Sequence, residues 1–237
     1  FGTGVRIAEP NCDLTALTVN MKQEVQANAK FFPESILTQD EFIIEEFITG
    51  DEYAVDMFFD EAGKPQIMNI YFHPEPAIAE YFHLMYYTNK EIFDNYFDTF
   101  INFFNELNKI MELKSFPIHA EFKLQDGVMV PIELNPMRYG GFGLSDLTFN
   151  SFQLQPISAY FDNNPANWSD IWKSRKANNY AWILGYNGKD IDVSEKLPDH
   201  SKFNNFLKAN STLIDYVKLD HKTNPVFSLA YIYNTNL

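Results

Sequence analysis

Hydrophobic and polar positions along the chain follow two periods, which predict helices and strands in mixed order. Apolar residues recur at steps of three and four over 13–30 and, most regularly, over 91–113, and this spacing predicts two amphipathic helices. Short apolar and β-branched runs that end at turn residues predict strands. These strands cover residues 41–48, 53–59, 66–72, 118–124, 128–135, 180–186, 213–219 and 226–233. With a further helix over 201–209, the pattern predicts an α+β fold.

Charge and cysteine content narrow the classes of function. The 237 residues carry a net charge of −14, and an acidic surface repels both the phosphates of nucleic acids and anionic lipids. We therefore predict no nucleic-acid partner and no membrane partner. The single cysteine, Cys12, cannot form an internal disulfide, which favours a reducing compartment and predicts a cytoplasmic protein.

Two carboxylates and an amide in neighbouring predicted strands carry the strongest chemical signal. Glu121 lies on one strand, and Glu133 and Asn135 share a face of the next strand, because strand side chains alternate between faces. Such oxygen groups repel one another unless a cation lies among them, and hard oxygen ligands suit Mg²⁺. Arg138, a few residues further on, adds a charged fork that suits a phosphate group.

The turn between these strands decides whether Glu121 and Glu133 share a face. A two-residue turn at 126–127 places them on opposite faces, whereas a three-residue loop at 125–127 with a left-handed Gly127 places them on the same face. We predict the three-residue loop, and with it a shared face for the two carboxylates.

The segment 121–141 resembles the metal-binding end of the ATP-grasp superfamily, in which an acid precedes a Glu-x-Asn motif and an arginine. The run EEFI at 45–48, followed by TGDEY at 49–53, is similar to the hinge strand of that family. The opening FGTGV at 1–5 is similar to the family's flexible glycine loop over the phosphates. The resemblance spans residues 1 to about 145.

The resemblance implies a nucleotide-binding role for each matched residue. The hinge, with Glu45 as its first acid, implies adenine contacts at Glu46 and Ile48, and Glu52 matches the residue that takes the ribose hydroxyls. The backbone of the glycine loop would contact the phosphates of ATP. The loop residues are Gly2, Thr3 and Gly4.

The resemblance also implies an ATP-grasp fold, in which two sheet-bearing subdomains clasp ATP, here N-terminally incomplete and with a C-terminal α/β extension. Residues 1–50 would form a partial N-terminal subdomain with the glycine loop and the hinge, and 51–143 the C-terminal ATP-grasp subdomain with the metal site. Residues 144–237 would form a supporting subdomain. In the family, phosphate-contacting lysines precede the glycine loop, whereas this chain begins at the loop, so we expect a longer parent protein.

The function that the resemblance implies is that of an ATP-dependent ligase. Mg²⁺ or Mn²⁺ would be held by Glu121, Glu133 and Asn135, and Arg138 would be the catalytic residue on the phosphoryl oxygens. The γ-phosphoryl group of ATP passes to a small-molecule carboxylate, giving an acyl phosphate that an amine or a thiol attacks. We expect this fragment alone to be inactive, and homo-oligomerisation stays open. The alternatives are a non-catalytic nucleotide-binding or scaffold module with a degenerate site, and an acidic interaction domain with no nucleotide site.

Other polar residues carry weaker signals. One set has metal-binding residue types but is interrupted by prolines, so we predict a solvated loop there. This set is His73, Glu75, Glu80 and His83. The acidic run over 45–61 is predicted to be mostly a solvated face, with Glu52 the exception, and His119 is either a phosphate contact or a hydrogen-bonded structural histidine. Gly140 and Gly141 would let the backbone approach a ligand.

Overall fold

The chain divides into two units, Phe1–Ile48 and Thr49–Leu237. The structure is a computed structural model that describes residues 6–28, 42–74, 85–175, 179–187 and 191–234. The sequence-based division at residues 50 and 143 stays a prediction.

The described part of the first unit contains one helix, and its residues 6–13 and 42–48 form no helix or strand. Helix α1, Leu14–Asn28, begins where the Asp13 carboxylate accepts hydrogen bonds from the backbone nitrogens of Thr15 and Ala16, at 2.9 and 3.0 Å. These bonds satisfy donors that have no partner within the helix itself. The helix predicted over 13–30 is confirmed as far as residue 28.

The strand predicted at 41–48 is wrong over its described residues, 42–48, which are not paired as a strand. Ile43 and Ile44 are 84% and 92% exposed, so neither face of the segment is covered at these two residues. A strand persists only where a neighbouring strand satisfies its backbone groups, and no described residue pairs with 42–48.

The second unit is built on one eight-stranded sheet. Its strands are β1 Asp51–Phe59, β2 Pro65–His73, β3 Met85–Thr88, β4 Phe116–Gln125, β5 Val128–Pro136, β6 Asn179–Tyr186, β7 Thr212–Lys218 and β8 Val226–Asn234. Its helices are α2 Lys90–Met111, α3 Leu144–Phe152, α4 Pro156–Phe161, α5 Trp168–Ser174 and α6 His200–Asn210. The strand order is β5-β4-β1-β2-β3-β6-β8-β7, and every neighbouring pair is antiparallel. Each strand predicted for this unit is present, and β6 to β8 continue the sheet of the earlier strands.

Helix α2 covers one face of the sheet. It begins at Asn89, whose side-chain oxygen accepts a hydrogen bond from the Ile92 nitrogen at 2.8 Å. The predicted apolar stripe is confirmed at its centre, because Phe100 and Phe104 are fully buried and pack with Phe122 of β4, whereas Met111 at its predicted end is exposed. No described helix is both long enough and apolar enough to span a bilayer, and the cytoplasmic location stays a prediction.

The opposite face of the sheet carries a second core. Leu144 and Leu147 of α3 pack there with Ala54, Tyr71 and Tyr231. Because side chains of β1 alternate between faces, its even-numbered residues lie on this side and its odd-numbered residues lie on the α2 side. Strand β1, between β4 and β2, is therefore enclosed by apolar layers on both faces.

The hairpin of β4 and β5 has a two-residue turn, so the predicted three-residue loop is wrong. Gln125 pairs with Val128, and the two residues between them form the turn. Asp126 and Gly127 both have positive φ, 51° and 80°. This backbone is typical of a tight hairpin turn whose twist matches that of the strands.

A β-bulge further along the same hairpin gives the two carboxylates their shared face. Phe122 pairs with Pro131 and Glu121 pairs with Glu133, so Ile132 is an extra residue in β5. Residues directly opposite each other in an antiparallel pair point to the same face. The shared face is confirmed, but it results from the bulge and not from the turn. Pro131 has no N–H for the ladder, and it is tolerated because β5 is an edge strand.

Candidate nucleotide and metal site

Polar side chains occupy neighbouring register positions across four strands on the α3 face of the sheet. We call this set the polar stripe. Its cross-strand pairs are Glu133–Glu121 and Asn135–His119 between β5 and β4, Lys123–Glu52 and His119–Asp56 between β4 and β1, and Glu52–His73 between β1 and β2. Opposite residues share a face, so the sheet gathers residues from four strands into one polar surface.

Glu121 and Glu133 form the acidic end of the polar stripe. Partial burial and the neighbouring Glu121 carboxylate raise the pKa of the Glu133 carboxyl above its ordinary value. A cation would relieve this repulsion, and with the amide oxygen of Asn135 the two carboxylates are a hard-oxygen donor set that fits Mg²⁺ or Mn²⁺. The described residues contain no group of three or more His, Cys, Asp or Glu side chains suited to a metal ion. A cation here would therefore need Asn135 and further oxygen ligands, such as those of phosphates.

Asp56 is a buried acid that the sequence analysis missed. Its side chain is fully buried, and its Oδ1 accepts hydrogen bonds from Nδ1 of His119 and from the backbone nitrogen of Gly140, both at 2.7 Å. Its Oδ2 accepts a hydrogen bond from the Tyr71 hydroxyl at 2.8 Å. The prediction of a solvated acidic face over 45–61 is therefore wrong at Asp56, because β1 is enclosed on both faces.

His119 links Asp56 to the acidic end of the stripe. Its Nε2 lies 3.2 Å from Oε1 of Glu121, and its side chain is 4% exposed. Burial lowers the pKa of the imidazole, but the hydrogen bonds to Asp56 and Glu121 outweigh burial and raise the pKa to about 9. Of the two interpretations that the sequence leaves open, these contacts favour a hydrogen-bonded histidine over a phosphate contact.

Glu52 is held by two basic side chains at the other end of the stripe. Its Oε1 lies 2.7 Å from Nδ1 of His73, and its Oε2 lies 3.2 Å from Nζ of Lys123. Burial raises the pKa of the Glu52 carboxyl, but the hydrogen bond and charge of His73 and the charge of Lys123 outweigh it, so the pKa lies below its ordinary value. Glu52 is therefore ionised at neutral pH, and its oxygens have enough lone pairs to accept bonds from ligand hydroxyls as well.

His73 ends β2, so the prediction of a solvated loop is wrong at this residue. Its side chain is buried, and its ring stacks on Tyr86 with the ring centroids 4.3 Å apart. The other members of the predicted loop lie outside the described residues; these are Glu75, Glu80 and His83. The register places both His73 and Lys123 beside Glu52, and only the register makes Lys123 a candidate.

Arg138 follows β5 and is exposed. Its guanidinium donates a hydrogen bond to the backbone oxygen of Tyr139 at 3.2 Å. The charge of Arg138 also acts on Glu133, where it partly offsets the upward shift of the pKa. Arg138 thus lies at the acidic end of the polar stripe, and its catalytic role stays a prediction.

Gly140 is required by packing. A Cβ at this position would lie 2.8 Å from Cδ2 of Leu144 and 3.2 Å from Cε1 of His119. The approach of a ligand to the backbone at this glycine pair stays a prediction. Gly141 differs, because a Cβ there would have no heavy atom within 4 Å.

The predicted adenine and phosphate contacts lie in the first unit. Glu45 and Glu46 are exposed and Ile48 is half-buried. The glycine-loop residues lie outside the described part of the chain; these are Gly2, Thr3 and Gly4. Nucleotide contacts at all these positions stay predictions.

Several solved structures share the fold of this chain. L-amino acid ligase from Bacillus licheniformis has 15% identity and a TM-score of 0.50, over 80% of this chain and 50% of that one. A biotin carboxylase complex from Campylobacter jejuni has 11% identity and a TM-score of 0.61, over 99% of this chain and 51% of that one. Phosphoribosylglycinamide synthetase from Anaerococcus prevotii has 12% identity and a TM-score of 0.51, over 81% of this chain and 50% of that one. The chain spans about half the length of these proteins, and the likeness concerns the fold.

A comparison with protein families gives a direct match. The family described as ATP-grasp domain matches residues 1–146, while a search of curated protein sequences finds no significant match. The matched segment is more than half of the chain and includes residues 45–48, Glu52 and the hairpin of β4 and β5. The predicted fold is confirmed, and the chain belongs to the ATP-grasp domain family.

Proposed function

We propose that this chain is the ATP-binding part of an ATP-dependent ligase that activates a carboxylate as an acyl phosphate for attack by an amine or a thiol. The observation that carries the proposal is the facing pair of Glu121 and Glu133 beside Asn135, on the same face as Glu52. Membership of the ATP-grasp family supports it, as does the fold shared with an amino acid ligase and a biotin carboxylase.

In this proposal Glu121, Glu133 and Asn135 hold Mg²⁺ or Mn²⁺. When bound, the cation neutralises charge on the phosphate oxygens during phosphoryl transfer. The role of the chain itself is to hold both carboxylates on one face of the sheet. A cation favours the ionised form of Glu133, against the upward shift of the pKa that burial and Glu121 cause.

Glu52 and Lys123 of the polar stripe, together with Arg138, bind and orient the nucleotide in this proposal. Glu52, held by His73 and Lys123, accepts hydrogen bonds from the ribose hydroxyls. Lys123 shares the face of Glu52 and Glu121, and its charge offsets part of the negative charge that a triphosphate would meet there. Arg138 binds oxygens of the transferring phosphoryl group or of the acyl phosphate through its guanidinium.

Glu133→Gln in the full-length protein should reduce Mg-ATP-dependent formation of ADP by at least about 100-fold, since residues that only support metal ligands already contribute about 10–100-fold. The melting temperature should stay the same or rise, because the substitution removes the repulsion between Glu133 and Glu121. ADP is measured with a panel of amino acids as carboxylate and amine donors, and melting is measured by scanning fluorimetry.

Glu106→Gln is the matched control, because Glu106 is exposed on α2 and pairs only on the surface with Lys109, at 2.5 Å. It should form ADP at the wild-type rate.

Unchanged turnover in Glu133→Gln would remove this residue from the metal site. A wild type that binds Mg-ATP without forming ADP would be a nucleotide-binding module, and one with no thermal shift would have no nucleotide site. Binding at 100 times the dissociation constant contributes about 2.7 kcal/mol, which such a shift detects.

Glu52→Gln should reduce the preference of the protein for ATP over 2′-deoxy-ATP. A hydrogen bond to a charged group contributes about 1.5–3 kcal/mol, so the wild type should prefer ATP by about tenfold or more. The variant should lose most of this preference, which is measured as the ratio of the two dissociation constants by calorimetry. Equal weakening of both nucleotides would mean that Glu52 supports the fold and does not bind ribose.

A further inference from the structure

We infer that His119 is a positioning residue for the metal site: its Nε2 holds the Glu121 carboxylate, and Asp56 holds the ring through Nδ1. The inference rests on the proposed function, because it concerns the same metal site. It adds to that site a buried pair of side chains, Asp56 and His119, that supports a metal ligand without contacting the cation.

His119 bridges two carboxylates that belong to different strands. Its Nδ1 lies 2.7 Å from Oδ1 of Asp56 on β1, and its Nε2 lies 3.2 Å from Oε1 of Glu121 on β4. The residue is 3% exposed, so solvent does not compete for either hydrogen bond. Because each ring nitrogen faces a carboxylate oxygen, each carries a hydrogen and donates it.

Asp56 is itself fixed from several directions, which makes it a rigid anchor for the ring. The Tyr71 hydroxyl donates to its Oδ2 at 2.8 Å, and the backbone nitrogen of Gly140 donates to its Oδ1 at 2.7 Å. Gly140 also packs so closely against the ring that a Cβ would lie 3.2 Å from Cε1 of His119. The ring therefore has little room to tilt.

The hydrogen bond from Nε2 lowers the entropic cost of binding a cation at Glu121. A glutamate side chain loses rotamer freedom when it binds a cation, and a bond to Oε1 removes part of that freedom beforehand. Hydrogen bonds to metal ligands contribute about 10–100-fold to metal affinity. His119 should therefore affect the metal-dependent part of nucleotide binding.

Two amide substitutions separate the two hydrogen bonds of His119. The amide nitrogen of asparagine takes the place of Nδ1, so His119→Asn keeps the donor to Asp56 and loses the donor to Glu121. The amide nitrogen of glutamine takes the place of Nε2, so His119→Gln keeps the donor to Glu121 and loses the donor to Asp56. Stability and metal affinity should therefore rank the two variants in opposite order.

The metal contribution is measured on the full-length protein as the ratio of the ATP dissociation constants in EDTA and in saturating Mn²⁺. His119→Asn should lower this ratio by about tenfold relative to the wild type. His119→Gln should lower it less, although its melting temperature in EDTA should be below that of His119→Asn. Thr88→Val is the control for a lost buried hydrogen bond elsewhere, since Thr88 donates to Oδ1 of Asn69 at 2.8 Å, and its ratio should match the wild type.

The outcomes separate this inference from the proposed function. A lower ratio in His119→Gln than in His119→Asn would mean that the histidine acts only through stability and would overturn the inference. Wild-type ratios in both variants would overturn it too, while the metal site would stand. A wild-type ratio of one would mean that ATP binding does not depend on the metal, and both the metal site and the inference would fail.

Discussion

Replacing Asp56 with alanine is expected to lower the free energy of unfolding by about 3–5 kcal/mol, because the substitution removes the fully buried one of the two carboxylates that pair with His119. Asp56 is fully buried and accepts hydrogen bonds from His119, from the Tyr71 hydroxyl and from the backbone of Gly140. Alanine removes all of these acceptor contacts and leaves buried donors unsatisfied. Urea denaturation near neutral pH measures the loss.

Asp98→Ala is the control for this substitution, since Asp98 is exposed on α2, and it should change the free energy of unfolding by less than about 0.5 kcal/mol. Asp56→Asn isolates the charge, because an amide oxygen can still accept a bond from His119, and it should lie between the wild type and Asp56→Ala. A loss below about 1 kcal/mol in Asp56→Ala would contradict a buried ion pair at this position.

The difference in the free energy of unfolding between the wild type and Asp56→Ala should become smaller at alkaline pH. The pKa of His119 is raised from 6.5 to about 9 in the folded chain, so between these values the folded state binds more protons than the unfolded state. The stability that this adds is fully present below about pH 6.5 and is lost as the pH rises through about 9. Urea titrations of metal-free protein at about pH 6 and about pH 10 test this; a constant difference would contradict it.

Gly50→Ala is expected to lower the free energy of unfolding by more than about 3 kcal/mol. The φ of Gly50 is +117°, and a Cβ there would lie 2.1 Å from the backbone oxygen of Leu124. The backbone strain alone costs about 1–3 kcal/mol. The carbonyl of Leu124 cannot easily move, because this residue is paired with Asp51 and with Met129 in the sheet. Denaturant unfolding measures the loss.

Gly141→Ala is the matched control for a glycine in the same unit. A Cβ at Gly141 would have no heavy atom within 4 Å, and its φ lies outside the left-handed region. The substitution should be neutral or stabilise by about 0.4–1 kcal/mol through the unfolded chain. Equal losses at Gly50 and Gly141 would mean that neither the φ nor the contact with Leu124 is decisive.

The hairpin of β4 and β5 shows how far pattern reasoning reaches at the site. Alternation along one strand correctly puts Glu133 and Asn135 on a common face. The relation between Glu133 and Glu121 cannot be derived from the turn alone, since the extra residue Ile132 shifts the register after a two-residue turn. Pro131 is the available signal, because a proline inside a strand marks an edge or a bulge.

Asp56 and the segment 42–48 show that residue type alone does not predict burial or strand pairing. Asp56 has the same residue type as its acidic neighbours, yet apolar layers on both faces of β1 bury it, and Tyr71 and His119 supply its partners from other strands. The segment 42–48 has the composition of a strand but no described residue pairs with it. The residue type at one position does not determine which distant residues pack against it or form hydrogen bonds with it.

By itself, the sequence determined helices α2 and α6 and most strands of Thr49–Leu237, the oxygen-rich motif at Glu121, Glu133 and Asn135, and the resemblance to the ATP-grasp family. These are local properties, since hydrophobic period and motif spacing are set by residues close together in the chain. Only the tertiary structure decided that the two carboxylates face each other and that Asp56 is buried against His119. These features depend on strand register and on layers that pack from distant segments, so their free energies belong to the whole fold and not to any one stretch of sequence.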